Sequence, residues 1–243
     1  MSGTAAVDTL GPMADATAEF AAAWRIFQRT ESLRLAEDTL ESEWTRGRSE
    51  YAAFLVRMTD AGVCACIERT IEEIRAIPGV DPYPEPYWHA TVKGVGFVVE
   101  EPSGEDELSP ARLAAMVEEA RPLIEATPSF ELRLGLPSAF AEVMIIEVLD
   151  GGAIRSLNMR LLEALPGVQR NPFDGAMFLP HVSIARFRSQ EGLGELKETL
   201  SRLRASPPTE ASFQVREVEL IRAHLSLAAP TFARVGAYGL GAR

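Results

Sequence analysis

The sequence predicts an α+β fold, bilobal, with two pseudo-symmetric lobes of mainly antiparallel sheet, outer helices and a central cleft. Three observations predict it. A four-residue pattern, His-x-Thr/Ser-x, occurs as His89-Ala-Thr91-Val and again as His181-Val-Ser183-Ile. Helical and strand-like segments interleave twice in similar order around those two copies. Hydrophobic residues make up 47% of the 243 positions, enough to bury the core of one large domain or of two closely packed lobes.

Residues 1–14 are small and polar and read as disordered. From Ala16 to Glu43 the pattern is helical, with Phe20, Trp24 and Phe27 on one face as a stripe that packs on the core, the lesser alternative being a dimer contact or a lid over the cleft. Residues 1–49 thus form an N-terminal extension, and 50–243 the bilobal domain. Tyr51–Met58 reads as the first strand, and Gly62–Ile77 as a helix ended by Pro78-Gly79. The first motif strand spans Trp88–Val99. An acidic loop through Glu107 then leads to Ser109, a good N-cap with Pro110 in the first helical position. The helix Pro110–Ala126 gives way to strands at Phe130–Leu136 and Glu142–Leu149, and a further helix spans Ala153–Leu165. The second motif strand covers Phe178–Arg188. A helix at Leu193–Arg204 and strands at Phe213–His224 and Phe232–Leu240 complete the chain.

Successive side chains of a strand alternate faces, so His89 and Thr91 point the same way, roughly 6.5–7 Å apart along the chain. By the same alternation Lys93 continues that face, as do Ala185 and Phe187 after His181 and Ser183, while Arg186 points away unless a bulge turns it. Each lobe then offers the cleft one imidazole and one hydroxyl, which metal-free general acid–base cleavage of a phosphodiester requires. A third copy, His224-Leu-Ser226-Leu, follows too closely to belong to an equivalent lobe. It reads as a bystander on the edge of a later strand, and as the first alternative if one of the other two is inert. Proline- and aromatic-rich loops lead into both motifs. Tyr83, Tyr87 and Phe173 in those loops are candidates for the cleft rim, and Asp174 and Glu85 are weaker candidates to orient a histidine.

On His89, Thr91, His181, Ser183 and the run Ala185-Arg186-Phe187, the chain resembles the two-histidine phosphoesterase superfamily, in its LigT-like or 2′-5′ RNA ligase branch. The stretch Val215–His224 followed by Ala237-Tyr-Gly-Leu240 is similar to that family's closing hairpin. The resemblance covers about residues 50 to 242. Ser183 replaces the commoner threonine, and Lys93 stands where many relatives are apolar. The resemblance implies hydrolysis of a 2′,3′-cyclic phosphate on a nucleotide or RNA end, or of a 2′-5′ linkage, with no cofactor and no metal. His89 and His181 would be the acid and base, in either order, with Thr91 and Ser183 holding phosphate oxygens. Among substrate-binding candidates, the resemblance alone keeps Arg186, and Tyr87 belongs to the rim. Lys93 on the motif strand reads equally as a phosphate ligand and as a strand-end lysine reaching solvent. Phe187 is a candidate to stack on a base, with core packing at the end of its strand the favoured reading.

Composition narrows the partners. A net charge of −11 and a pI near 4.9 exclude a protein that grips long nucleic acid through its phosphates, but leave room for a local basic cleft that takes one small nucleotide or RNA end. Lys93 and Lys197 are the only lysines, so one of two falls on a motif strand. Cys64 and Cys66 make a poor zinc site and read as small buried residues of a helix in a reducing, cytoplasmic setting. No leader-like or membrane-spanning run is evident. Two rival functions are a catalytically silent nucleotide-binding module with the same cleft, and a metal-dependent phosphoesterase. A matched acid and base exceed what binding needs, and no carboxylates stand at ligand spacing from the histidines.

Overall fold

The motif strands lie side by side in the middle of one large sheet. The computed structural model describes residues 16–42, 44–207, 210–227 and 230–241; the N-terminal segment read as disordered lies outside them. The first half of the chain runs α1 (Thr17–Arg29), α2 (Ala36–Leu40), β1 (Glu50–Arg57), α3 (Ala61–Ile74), β2 (Val80–Pro82), β3 (His89–Val98), β4 (Glu107–Leu108) and α4 (Pro110–Glu125). The second runs β5 (Phe130–Ala139), β6 (Val143–Leu149), α5 (Ala153–Ala164), β7 (His181–Phe187), α6 (Leu193–Ala205), β8 (Ser212–Val215), β9 (Glu217–His224) and β10 (Thr231–Gly239). Strand order is β10-β9-β1-β3-β7-β6-β5-β8, so four strands lie on each side of the β3–β7 seam. Every pairing along that path is antiparallel.

Alternation sorts the sheet into two faces. Ala52, Phe54 and Val56 of β1 share one apolar core with Ala90, Val92 and Val95 of β3, and with residues of α3, α4, α5 and α6. Ala53 and Leu55 point to the opposite face, where they meet Ile221, Ala223 and Phe232. Helices α3–α6 therefore cover one side of the sheet, and the motif side is left to other groups, the start of α1 among them. Two of these helices, α3 and α4, start on side-chain caps: Asp60 accepts the N–H groups of Gly62 (2.9 Å) and Val63 (3.1 Å), and Ser109 accepts that of Arg112 (3.1 Å) ahead of Pro110.

Four expectations change. The single helix expected over 16–43 is two, because the segment between them is tied down elsewhere: Leu33 exchanges backbone bonds with the Gln190 amide (both 2.7 Å), and Arg34 N–H donates to Ala141 O. The strand expected at 213–224 is also two, and they belong to different lobes, since β8 pairs β5 while β9 pairs β1. The strand at 130–136 runs on to Ala139, with Pro137 tolerated where the register with β6 shifts. The short strands β2 and β4 were not expected at all.

The aromatic stripe of α1 packs as expected but divides. Phe27 joins the main core, whereas Phe20 and Ala16 join Ile145, Phe140 and Leu179 on the motif side of the second lobe. Both cysteines sit in α3 with no disulfide between them; Cys66 is buried and Cys64 half-buried. Among the described residues no helix is long and apolar enough to cross a membrane.

Candidate active site

Ala90 and Val182 are direct partners across the seam, and the antiparallel register through them brings His89 beside Ser183 and Thr91 beside His181. On the outer flanks the arrangement repeats. His89 lies opposite Arg57 and Thr91 opposite Leu55; His181 lies opposite Glu147 and Ser183 opposite Ile145. Leu55 and Ile145 both point away from the core that α3–α6 cover, so all four motif side chains share that face. The two lobes are therefore related by a pseudo-twofold axis passing between Ala90 and Val182.

Each histidine is held the same way. His89 Nδ1 lies 2.5 Å from Tyr87 O, and His181 Nδ1 lies 2.7 Å from Leu179 O, in each case the carbonyl two residues back. A carbonyl only accepts, so Nδ1 carries the proton in both rings and Nε2 is the free, basic nitrogen. Each ring also meets an aromatic edge: His89 with Phe232 at 5.2 Å and Tyr87 at 5.1 Å, His181 with Phe140 at 5.2 Å. Burial holds both imidazoles below their ordinary pKa. That of His89 falls to about 4, with smaller contributions from the His181 and Arg57 charges. Thr91 and Ser183 are half-buried, and their hydroxyls bond to no partner among the described residues.

Both motif strands carry a bulge at the same step, and it overturns the faces expected for the following residues. In β3, Thr91 pairs Leu55 but Lys93 pairs Phe54; in β7, Ser183 pairs Ile145 but Ala185 pairs Met144. An extra residue on one strand inverts the alternation beyond it. Ala185 and Phe187 consequently turn into the core, where Phe187 is fully buried; it does not share the His181 face. Lys93 turns inward too, is fully buried, and bonds to Asp174 Oδ2 (2.7 Å) and Gln169 O (2.6 Å) rather than facing the site. Asp174 is thus a partner of Lys93, not of a histidine, and Glu85 is exposed at the start of a short 3₁₀ turn.

The position after the bulge now faces the motif side, and the two lobes fill it differently. In the second lobe it is Arg186, opposite Val143, with its guanidinium on Asp81 (2.8 Å) and 5.5 Å from the Tyr83 ring centroid. The first lobe has Gly94 there, because the Tyr51 hydroxyl occupies the space a Cβ would need.

Tyr87 stacks between Tyr83 (4.0 Å) and Phe232 (5.3 Å), and Arg57 lies 5.0 Å from the far ring. The result is a column Arg186–Tyr83–Tyr87–Phe232–Arg57 with His89 edge-on to it. Sequence reasoning missed Arg57 and Phe232. Both come from strands far from the first motif in the chain, and only the register of β1 and the β9–β10 hairpin brings them to His89. Phe173 is exposed in the loop before the second motif. His224 sits at the outer end of β9, exposed, with Nδ1 2.7 Å from Glu50 Oε1, and takes no part in the seam. Among the described residues no three His, Cys, Asp or Glu side chains converge at metal-binding spacing.

Several solved structures share this architecture. The Thermus thermophilus protein TT0787 is 18% identical, with a TM-score of 0.51 over 78% of this chain and 97% of its own. Escherichia coli LigT in its apo form is 15% identical, with a TM-score of 0.51 over 80% of this chain and 99% of its own; LigT has also been crystallised with 3′-AMP. ATU0111 of Agrobacterium tumefaciens str. C58 is 13% identical, with a TM-score of 0.53 over 77% of this chain and 84% of its own. No curated protein is similar enough in sequence to match. The model of the 2′-5′ RNA ligase superfamily matches residues 65–232, a span that holds both motifs and the seam between them, and the chain belongs to that superfamily.

Proposed function

We propose that the protein is a metal-independent phosphodiesterase that hydrolyses 2′,3′-cyclic phosphates, or 2′-5′ linkages, of nucleotides or RNA ends. One observation carries this reading. Two histidines related by the pseudo-twofold axis are each anchored through Nδ1 on a backbone carbonyl, with Nε2 available beside two hydroxyls that have no protein partner among the described residues. That is an acid, a base and two phosphate donors on one face.

In the proposed reaction a cyclic phosphate lies over the seam, its non-bridging oxygens held by Thr91 and Ser183. Neutral His89 takes a proton from water as the water oxygen bonds to phosphorus. Protonated His181 gives its proton to the departing ribose oxygen as that P–O bond breaks, leaving a phosphomonoester. Burial and the neighbouring Arg57 charge favour neutral His89, which suits the base. Arg57, opposite His89 and paired with Glu219 (2.7 Å), and Arg186, on the motif face and paired with Asp81 (2.8 Å), are the guanidinium groups that this reading assigns to the developing phosphoryl charge. Tyr87 and Phe232 offer an aromatic wall at the His89 side. A small nucleotide fits the acidic surface better than a long strand. LigT, which shares the fold, was crystallised with a nucleoside monophosphate of the kind this reaction would release. Cys64 and Cys66 form no disulfide, which suits a cytoplasmic setting.

The test is hydrolysis of nucleoside 2′,3′-cyclic phosphates and of a short RNA ending in one, with EDTA present, for wild type, His89→Ala, His181→Ala and His224→Ala. Turnover should survive EDTA and His224→Ala, and fall about 10²–10⁴-fold in the other two. Loss of turnover in EDTA, loss confined to His224→Ala, or no wild-type turnover on any of these substrates would reject the proposal.

A further inference from the structure

Beyond the Ala90–Val182 pair the motif strands part, and each leaves an edge that a segment of the other lobe closes. Along β7 the closing segment is β2, from the first lobe: Val80, Asp81 and Pro82 pair with Phe187, Arg186 and Ala185. Along β3 it is the loop after α5, from the second lobe. Gln169 N–H donates to Val95 O (2.8 Å), and the Asn158 amide donates to Val92 O (2.8 Å). An ion pair stands at each crossing, Arg186 with Asp81 and Lys93 with Asp174. The two differ in setting. The Arg186 and Asp81 side chains are 11% and 37% exposed, those of Lys93 and Asp174 only 1% and 6%.

The buried pair holds more than itself. Asp174 Oδ2 also accepts the Asn171 N–H (2.7 Å), and Oδ1 accepts the Asn158 amide (3.1 Å). Asn158 Oδ1 in turn accepts the Gly175 N–H (2.8 Å), and Lys93 Nζ also holds Gln169 O. The Tyr51 hydroxyl donates to Gln169 Oε1 (3.0 Å). Five residues after Asp174 comes Leu179, whose carbonyl orients the His181 ring, and Phe178 O between them is fixed by Arg155 (2.7 Å). That carbonyl therefore lies on a segment held at Asp174 by Lys93, at Phe178 by Arg155 and at Pro180 by the Val148 N–H (3.1 Å).

We propose that Lys93 is a positioning residue: its ion pair with Asp174 clamps the segment that orients His181 onto the strand that carries His89, and so sets the geometry between the two histidines. The proposal rests on the two-histidine reading above for its catalytic consequence, though not for the clamp itself. It gives the unusual motif-strand lysine a role distinct from phosphate binding, for which the bulge has turned it the wrong way.

The test compares full-length wild type with Lys93→Met, Asp174→Asn and the double variant, which leaves no unpaired charge in the core should a single one fail to fold. Three readouts separate the possibilities. Hydrogen exchange over residues 169–180 should speed up in all three variants, with β1 and β9 unchanged. The ¹⁵N shifts of His181 should pass from the Nδ1-protonated tautomer to a mixture. On a nucleoside 2′,3′-cyclic phosphate kcat should fall about tenfold or more with KM within a few-fold, alike for Lys93→Met and Asp174→Asn. If Lys93→Met alone raises KM and weakens inhibition by inorganic phosphate, while Asp174→Asn behaves as wild type, Lys93 is a substrate ligand and the proposal fails. Unchanged exchange and an unchanged His181 tautomer also overturn it, as does faster exchange with unaltered kcat. A wild type inert on every cyclic phosphate would reject the functional reading, and exchange and the tautomer would still decide on the clamp.

Discussion

Ala90 and Val182 face each other at the point where the two motif strands touch, and the site is organised around that pair. On each side of it come a histidine, a hydroxyl, a bulge one step later, and a neighbouring strand in the same register. Departures from that symmetry mark where the two histidines differ. Arg57 stands opposite His89 where Glu147 stands opposite His181, and Glu147 is taken up by Arg204 (2.7 Å). Gly94 occupies the position that Arg186 occupies in the other lobe.

Acid should destabilise the protein through these imidazoles. The His89 pKa drops from 6.5 to about 4 on folding, so between those values the unfolded chain binds the extra proton and stability rises with pH. The contribution is complete above pH 6.5 and is lost as pH falls through about 4. Denaturant midpoints measured across this window should fall with pH, and less steeply for His89→Gln. Equal slopes for the two proteins would contradict a half-buried neutral imidazole at position 89.

Arg57→Gln should raise the His89 pKa, because it removes a cation that disfavours the imidazolium. The acid limb of the kcat/KM profile should therefore move to higher pH. Arg222→Gln, a change at an arginine paired with Glu50 on the outer strand, is the control and should leave the profile in place. A profile indifferent to Arg57 would remove His89 as the base.

Thr91→Val and Ser183→Ala should each lower kcat on a cyclic phosphate, on the order of 10²-fold if each hydroxyl meets charge that develops in the transition state. Neither hydroxyl is bonded within the described residues, so both variants should unfold within about 1 kcal/mol of wild type. A large loss of stability with normal kcat would assign the hydroxyls to the fold.

Phe187→Ala should cost about 3–5 kcal/mol of stability, as expected for an emptied core position. KM should stay within a few-fold of wild type when measured well below the variant's melting temperature. Raised KM without lost stability would place Phe187 against substrate after all.

Much of the site was legible in the chain because a strand's period of two needs no tertiary information. His89 with Thr91, and His181 with Ser183, follow from spacing alone, and the helix start at Ser109 follows local capping chemistry. The alternation failed at Lys93, Phe187 and Arg186 for one reason. A bulge adds a residue to one strand against its neighbour, and nothing in Val92-Lys93 or Ile184-Ala185 announces it. Rival histidines were also hard to separate by sequence: His224 carries the same pattern, yet lies at an outer strand end against Glu50.

By itself the amino-acid sequence determined the α+β class, the two motif strands, most of the helices and the face shared by each histidine and its hydroxyl. These depend on side-chain period and on residues within a turn of one another. Tertiary structure alone decided that the motif strands meet at Ala90 and Val182, that Arg57 and Phe232 stand beside His89, and that Lys93 is a buried clamp. Those outcomes depend on strand register and on pairings between segments far apart in the chain, where a shift of one residue moves a side chain from the site to the core.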